Sequence, residues 1–188
     1  MTTTTTTTHI PGLVAGIWTI DPAHSEVSFT VRHMMVSKVR GSFKSFDAEL
    51  VVADDPLESS VNATVDVASF DTGNADRDAN IRSADFLDLE RYPTMTYRSS
   101  KIRPDGEDYV VDGELTLHGE TRPVPLHLEV GGVTTDPYGN LRLGLSASTE
   151  INRRDFGIDI TMPLEAGGVV LGDKIKITLD IEAIRPLA

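Results

Sequence analysis

The feature that most narrows what this chain can become is an alternation of apolar and polar side chains, two residues in period, that recurs along most of its length. From Val27 the odd positions run Val27, Phe29, Val31, His33, Met35, and the even ones, mostly polar, run Ser28, Thr30, Arg32, Met34. Successive side chains of an extended chain point to opposite sides, so this is the period of a strand with one buried face. Similar rows follow at Val61, Ala63, Val65 and Val67, at Val124, Leu126, Leu128 and Val130, from Leu141 to Ile151, and from Ile175 to Ala183. Val39 to Ala53 alternates more weakly, and Thr94 to Ile102 and Tyr109 to Leu117 complete the set. Between the rows stand Asp54-Asp55-Pro56, Arg103-Pro104-Asp105-Gly106, His118-Gly119-Glu120-Thr121 and Asp136-Pro137-Tyr138-Gly139-Asn140, residue types that stop strands and supply turn dihedrals.

About eight strands joined mainly by hairpins predict an antiparallel barrel or sandwich. Several exceed ten residues, which suits a tall barrel whose closure removes exposed sheet edges. Pro123 and Pro125 lack a ladder N–H and are expected at a strand start or a bulge. Only Asn74 to Leu89 departs from the pattern. There Arg77, Ile81 and Ala84 fall at helical spacing behind Asn74, a residue suited to an N-cap, with Asp76 and Asp78 in the first turn. One or two short helices are predicted, lying across a mouth of the barrel as a cover.

Charge and composition exclude several functions. The net charge of -12 repels a nucleic-acid backbone. No cysteine is present, so disulfides, thiolate metal sites and cysteine nucleophiles are absent. With 188 residues the chain is sized for one domain. Thr2 to Thr8 form a low-complexity run that cannot bury apolar surface, and no Lys or Arg precedes the interrupted apolar stretch Ile10 to Ile17. Residues 1–16 are accordingly expected as a disordered tail ahead of one domain over 17–188, in the cytoplasm and without stable membrane insertion. Asp155-Phe156-Gly157 spells a kinase triplet with no accompanying phosphate loop and is expected at a strand end. No G-x-S-x-G elbow occurs, and the five histidines show no close metal-ligand spacing.

An eight-stranded interior is just wide enough to be packed solid or to hold one small ligand. The row Val27, Phe29, Val31, Met35 is then either core or tunnel wall. His33 on that row needs partners for both ring nitrogens if buried, and a polar headgroup beside it would provide one. Arg77, Arg82 and Arg153 near a mouth would suit a pyrophosphate or carboxylate head, or would pair with acids such as Asp78, Asp85 or Asp155.

Several segments occur in a telling order: Asp21, Pro22, His24, Ser25, Val27, Phe29, His33 and Met34; Gly41 and Phe43; Arg77, Asp78, Ile81, Asp85, Phe86, Tyr92 and Pro93; Gly113, Leu115, Thr116, Leu117 and Gly119; Arg153, Asp155, Phe156 and Gly157; Gly172 and Asp173. Spanning about Trp18 to Ala183, the set resembles the YceI-like family of lipocalin-like, polyisoprenoid-binding proteins. The resemblance implies an all-β fold, an elongated eight-stranded antiparallel barrel with helical cover. It also implies a long-chain isoprenoid, or a quinone-like or similar amphiphile, in an internal apolar tunnel, with no catalysis, cofactor or metal. Many such relatives are exported to the periplasm, and related barrels commonly pair, so a homodimer is a further expectation. On this reading His24, His33, Arg77, Arg82 and Arg153 belong at the headgroup, and Val27, Phe29, Val31, Met35, Phe86 and Phe156 along the wall. Two other functions stay open. One is an acid–base enzyme for a lipid-like substrate that uses His24 or His33 with a carboxylate; the other is a solid-core barrel in an interaction or stress role.

Overall fold

The computed structural model describes residues 8–160 and 171–186. Its strands are β1 (Gly16–Ile20), β2 (Glu26–His33), β3 (Ser37–Phe43), β4 (Phe46–Val52), β5 (Ser60–Asp66) and β6 (Phe70–Asp71). Helix α1 (Ala75–Arg82) follows, and then β7 (Thr94–Asp105), β8 (Asp108–Leu117), β9 (Glu120–Pro123), β10 (Leu126–Thr135), β11 (Asn140–Asn152) and β12 (Leu171–Pro186). The order β1-β4-β5-β7-β8-β10-β11-β12 returns to β1 through Thr19↔Ile184 and Ile20↔Ala183, closing an eight-stranded antiparallel barrel. Among the described residues no helix is long and apolar enough to cross a membrane.

Twelve strands make eight staves because some staves are broken. Along one edge β12 pairs with β11; along the other it pairs first with β2 and then with β1. β1 and β2 are thus two halves of one stave, joined by a 3-10 turn at Pro22–His24. The next stave is split in the same way. Val39 to Ala53, expected as one strand, divides into β3 and β4 because Lys44 N–H donates to Ser69 O and Ser45 O accepts from Asp66 N–H, which turns that backbone away from the β1–β2 stave.

The β8–β9 hairpin turns on His118 and Gly119, with φ of 55° and 74°, the left-handed pair that matches strand twist. The ladder then breaks at Val124–Pro125 before β10 resumes on β8 through Leu126↔Val111, so the two prolines fall at a strand end and a break. β7 runs on past the expected stop through Pro104 to Asp105. Its last pair with β5 is Asn62↔Arg98, so one edge of Pro104 faces no ladder partner. Asp155-Phe156-Gly157 is a further departure. These residues end a 3-10 turn, Arg153–Phe156, capped by Gly157 at φ 72°, which drives Phe156 into the core.

The inward rows form two apolar clusters. One, at the end where β1, β4, β11 and β12 meet, holds Trp18, Val52, Leu141, Leu143 and Ala183. The other extends to the opposite end, where Phe29, Phe43 and Phe70 touch at centroid distances of 5.2–5.7 Å. There α1 and the turns after it lay Ile81, Phe86, Leu87 and Leu89 on the cluster. Asn74 caps α1 by accepting from Arg77 N–H at 3.0 Å. At the first end, residues 8–15, expected in the tail, instead fold onto the barrel. The Trp18 indole N–H, with the residue fully buried, needs an acceptor and donates to Val14 O at 3.0 Å. That bond draws the preceding turn, Leu13 N–H to Ile10 O, over the barrel end.

Candidate functional site

Between the two clusters the barrel is open. A cavity of about 200 Å³ is lined by inward residues of most staves, Ile20, Val27, Phe46, Leu50, Val65, Met95, Leu126, Leu145 and Ile177 among them. Small side chains create it: Ala48, Ala63 and Ala147 hold inward positions on β4, β5 and β11 and line it. It exceeds the engineered cavities of about 150 Å³ that stay dry and take up benzene, so the solid-core alternative does not describe this barrel. Leu50, Ile102, Leu128 and Leu145 also line a second cavity of about 60 Å³ nearer the Trp18 end, which Ile10 and Leu13 close. The two spaces lie in series through this shared ring.

The surface the cavity offers is apolar. One phenol enters it. Tyr97 donates to Val124 O at 2.7 Å, lies across Gly113, where an added Cβ would come within 2.5 Å of its oxygen, and is pushed up to about 12 by desolvation and by Asp112. It therefore stays protonated and engaged.

The wall and headgroup residues expected from sequence distribute differently. Val27 lines the cavity. Phe29, Phe86 and Phe156 pack in the cluster beyond it, with Phe86 and Phe156 at 4% and 1% exposure. Val31 is buried further along β2, opposite Val39 and Ile175. Met35 is not on the wall: the strand ends at His33, and Met34 and Met35 take left-handed φ of 52° and 64° in the turn to β3, which leaves Met35 exposed. Alternation stops carrying a face where the chain reverses.

Among the described residues none of the five expected headgroup side chains lines the cavity. Arg77 donates to Thr72 Oγ1 at 2.8 Å and to Thr72 O at 3.0 Å, and buried Asp78 receives the Thr72 N–H and hydroxyl. Arg82 donates to Phe70 O at 2.8 Å. Arg153, 1% exposed, donates to Ile158 O at 2.6 Å and Gly172 O at 3.1 Å and faces Asp173 at 3.2 Å; burial lowers its pKa. All three fasten α1 or the Arg153–Phe156 turn to strand ends through backbone carbonyls. His33 ends β2 beside Leu171.

His24 stands apart, on the outer surface. Its Nδ1 lies 2.7 Å from Asp21 Oδ2, which also accepts from Arg142 Nη1 at 2.8 Å. Arg142 reaches Glu182 and Asp136 as well, both at 2.8 Å. These bonds tie the Pro22–His24 turn to β12 and to the β10–β11 hairpin. Hydrogen bonds from Arg142 and then His24 hold the Asp21 carboxyl down to about 2. Asp21, His24 and Glu182 could together ligate a metal, but Arg142 already places a cation between the two carboxylates.

The model of the YceI-like domain matches residues 18–183, nearly the whole described barrel. The chain belongs to the YceI-like family. A UPF0312 protein of Photorhabdus laumondii is 40% identical over 134 residues, covering 71% of this chain and 70% of the relative. BcnA of Burkholderia cenocepacia is 27% identical with a TM-score of 0.68, covering 88% of this chain and 99% of that structure. A polyisoprenoid-binding domain of Saccharophagus degradans shares the fold at 15% identity, with a TM-score of 0.66 over 92% of this chain and all of that one. Within the YceI-like match lie the cavity and its ring; Ile10 and Leu13, which close the smaller space, lie before it.

Proposed function

We propose that this barrel binds and carries one slim, long-chain apolar molecule or amphiphile of the isoprenoid type. The observation that carries the reading is the cavity of about 200 Å³, apolar, inside a closed barrel and continued through a side-chain ring into a smaller space. Burial of apolar area is non-directional, so such a space favours chain-like hydrocarbon over a polar solute. The series arrangement favours a flexible chain over a broad ring system. The isoprenoid class is supported by the family resemblance; the likeness to the Saccharophagus degradans domain, at 15% identity, supports the fold alone.

Binding is favoured over acid–base chemistry because, among the described residues, the cavity lining offers a substrate no buried, unengaged acid or base. Its ionisable lining residues are Asp47, which is exposed and bonds Ala48 N–H, and Tyr97, engaged by Val124 O. Organic extraction of the protein purified from its own host, followed by mass spectrometry, is expected to return a long-chain lipid in near-stoichiometric amount. A blank extract, together with no uptake of added prenyl alcohols by the delipidated protein, overturns the reading.

A further inference from the structure

One stretch of barrel wall is not zipped. The last β1–β4 pair is Thr19↔Glu49, whereas β2–β3 pairing starts at Val27↔Phe43. Residues 20–26 and 44–48 therefore face each other across a seam with no ladder pair. Backbone groups that could close it are engaged elsewhere: Asp21 N–H on Glu182 O, Lys44 N–H on Ser69 O, and Ser45 O on Asp66 N–H. Over the seam lies a groove of about 390 Å³ that His24, Ser25, Glu26, Lys44 and Asp180 line together with Phe43 and Phe46. Phe46 also lines the interior cavity. Among the described residues Phe46 is the one common to both linings, so its ring stands between a polar groove and the apolar interior.

We propose that this seam is a lateral portal, through which an apolar chain passes beneath Phe46 into the barrel while its head stays in the groove against His24 and Lys44. The proposal rests on the barrel being an amphiphile binder and adds the route and the polar site. Among the described residues, one barrel end is filled by the Trp18 cluster with Leu13, and the other by the phenylalanine cluster. The seam brings polar side chains to the cavity at Phe46, whose ring lines both spaces.

The groove also selects a head. With its Asp21 partner ionised, Nδ1 of His24 is the ring nitrogen that carries a proton, which leaves Nε2 for a ligand. Lys44 is outnumbered by Glu26 and Asp180 in the same groove, so a multiply charged anion gains no net attraction there. The ligand class is an amphiphile with a small uncharged head bearing a hydroxyl or carbonyl. The arginines first expected to hold a pyrophosphate are tied to backbone carbonyls instead.

The test uses the delipidated full chain, whose single tryptophan, Trp18, sits in the end cluster against which the cavity-lining Leu50 and Leu145 pack and serves as a fluorescence reporter. The probes are geranylgeraniol, geranylgeranyl diphosphate and a straight hydrocarbon of similar length. Stopped-flow uptake of geranylgeraniol is expected to accelerate in the order Phe46, Phe46→Leu, Phe46→Ala, by about tenfold at the extreme, with the dissociation constant moving less than the rate. His24→Ala is expected to weaken geranylgeraniol about three- to tenfold, the worth of one hydrogen bond, and to leave the hydrocarbon unchanged. The diphosphate is expected to bind more weakly than the alcohol. Uptake rates that ignore both Phe46 variants overturn the portal, and equal loss of alcohol and hydrocarbon in His24→Ala overturns the head site. If the unmodified protein takes up none of the probes, the amphiphile-binding reading itself fails and the portal with it.

Discussion

Filling the cavity from the wall should stabilise the empty barrel and disable the loaded one, and Ala147→Leu is the cleanest such change. Ala147 points inward on β11 between Leu128 and Leu179 and lines the cavity. At about 24 cal/mol per Å³ of void, an unfilled space of about 200 Å³ costs the fold on the order of 5 kcal/mol. Three added carbons placed in that space recover about 0.8 kcal/mol each, less about 0.5–1 kcal/mol for fixing a leucine rotamer. The net gain is about 1.5 kcal/mol, or about 3–6 °C in Tm for a chain of this size. In the loaded barrel the same carbons meet ligand instead of vacancy, and overpacking of about 1–3 kcal/mol weakens binding about tenfold.

Thermal and urea unfolding of delipidated protein, with and without added geranylgeraniol, measures both halves. A delipidated Ala147→Leu that is less stable than the parent by 1 kcal/mol or more would mean that the methyls clash and the space does not exist. Unchanged ligand affinity would place the ligand elsewhere.

Three other expectations follow from the same contacts. Asp21 and Asp136 both titrate near 2 in the folded protein, Asp21 through Arg142 and His24, and Asp136 through the Asn140 backbone and Arg142. Both sit below the unfolded carboxyl value of about 4, so their stabilisation is complete above it and is lost as pH falls from about 4 to 2; Asp136→Asn should flatten that part of an acid-unfolding curve. Arg153→Ala, which strips Ile158 O and Gly172 O of a buried donor, should cost about 3–5 kcal/mol in urea unfolding, whereas an effect under 1 kcal/mol would mark the guanidinium as dispensable. Deleting residues 2–15 removes Ile10 and Leu13 from the smaller cavity. It should lengthen the longest prenyl alcohol retained in native mass spectrometry; an unchanged length cut-off would show that the ring of Leu50, Ile102, Leu128 and Leu145 already ends the space.

The barrel was legible because its evidence is periodic. Rows such as Leu141 to Ile151 and Ile175 to Ala183 fix which side chains face inward, and the structure pairs them in register, Ile151 with Ile175 and Leu143 with Ala183. Asn74 announced α1 because capping is local chemistry. Breaks in a stave were hidden, since Lys44 and Ser45 leave the β1–β2 stave for partners more than twenty residues away, and no spacing in a single strand reports that.

The candidate site was legible only in part, and the physical reason lies in what alternation encodes. It says that Val27 and Phe29 share the inner face, but not at what height along the barrel each sits; the first lines open space and the second fills the end. Charge is equally ambiguous. An arginine near a mouth reads the same whether it waits for a phosphate or already holds Phe70 O, as Arg82 does, and only three-dimensional proximity separates the two. A usable signal was nonetheless present in side-chain size. A buried face built for packing carries large residues throughout, whereas Ala48, Ala63 and Ala147 interrupt three inward rows and all line one cavity, Ala48 opposite Ala63 on adjacent strands. Small residues repeated at inward positions of different strands leave volume that no neighbour fills. In a closed barrel that volume becomes a binding space, which is why the alanines locate the site better than its histidines and arginines do.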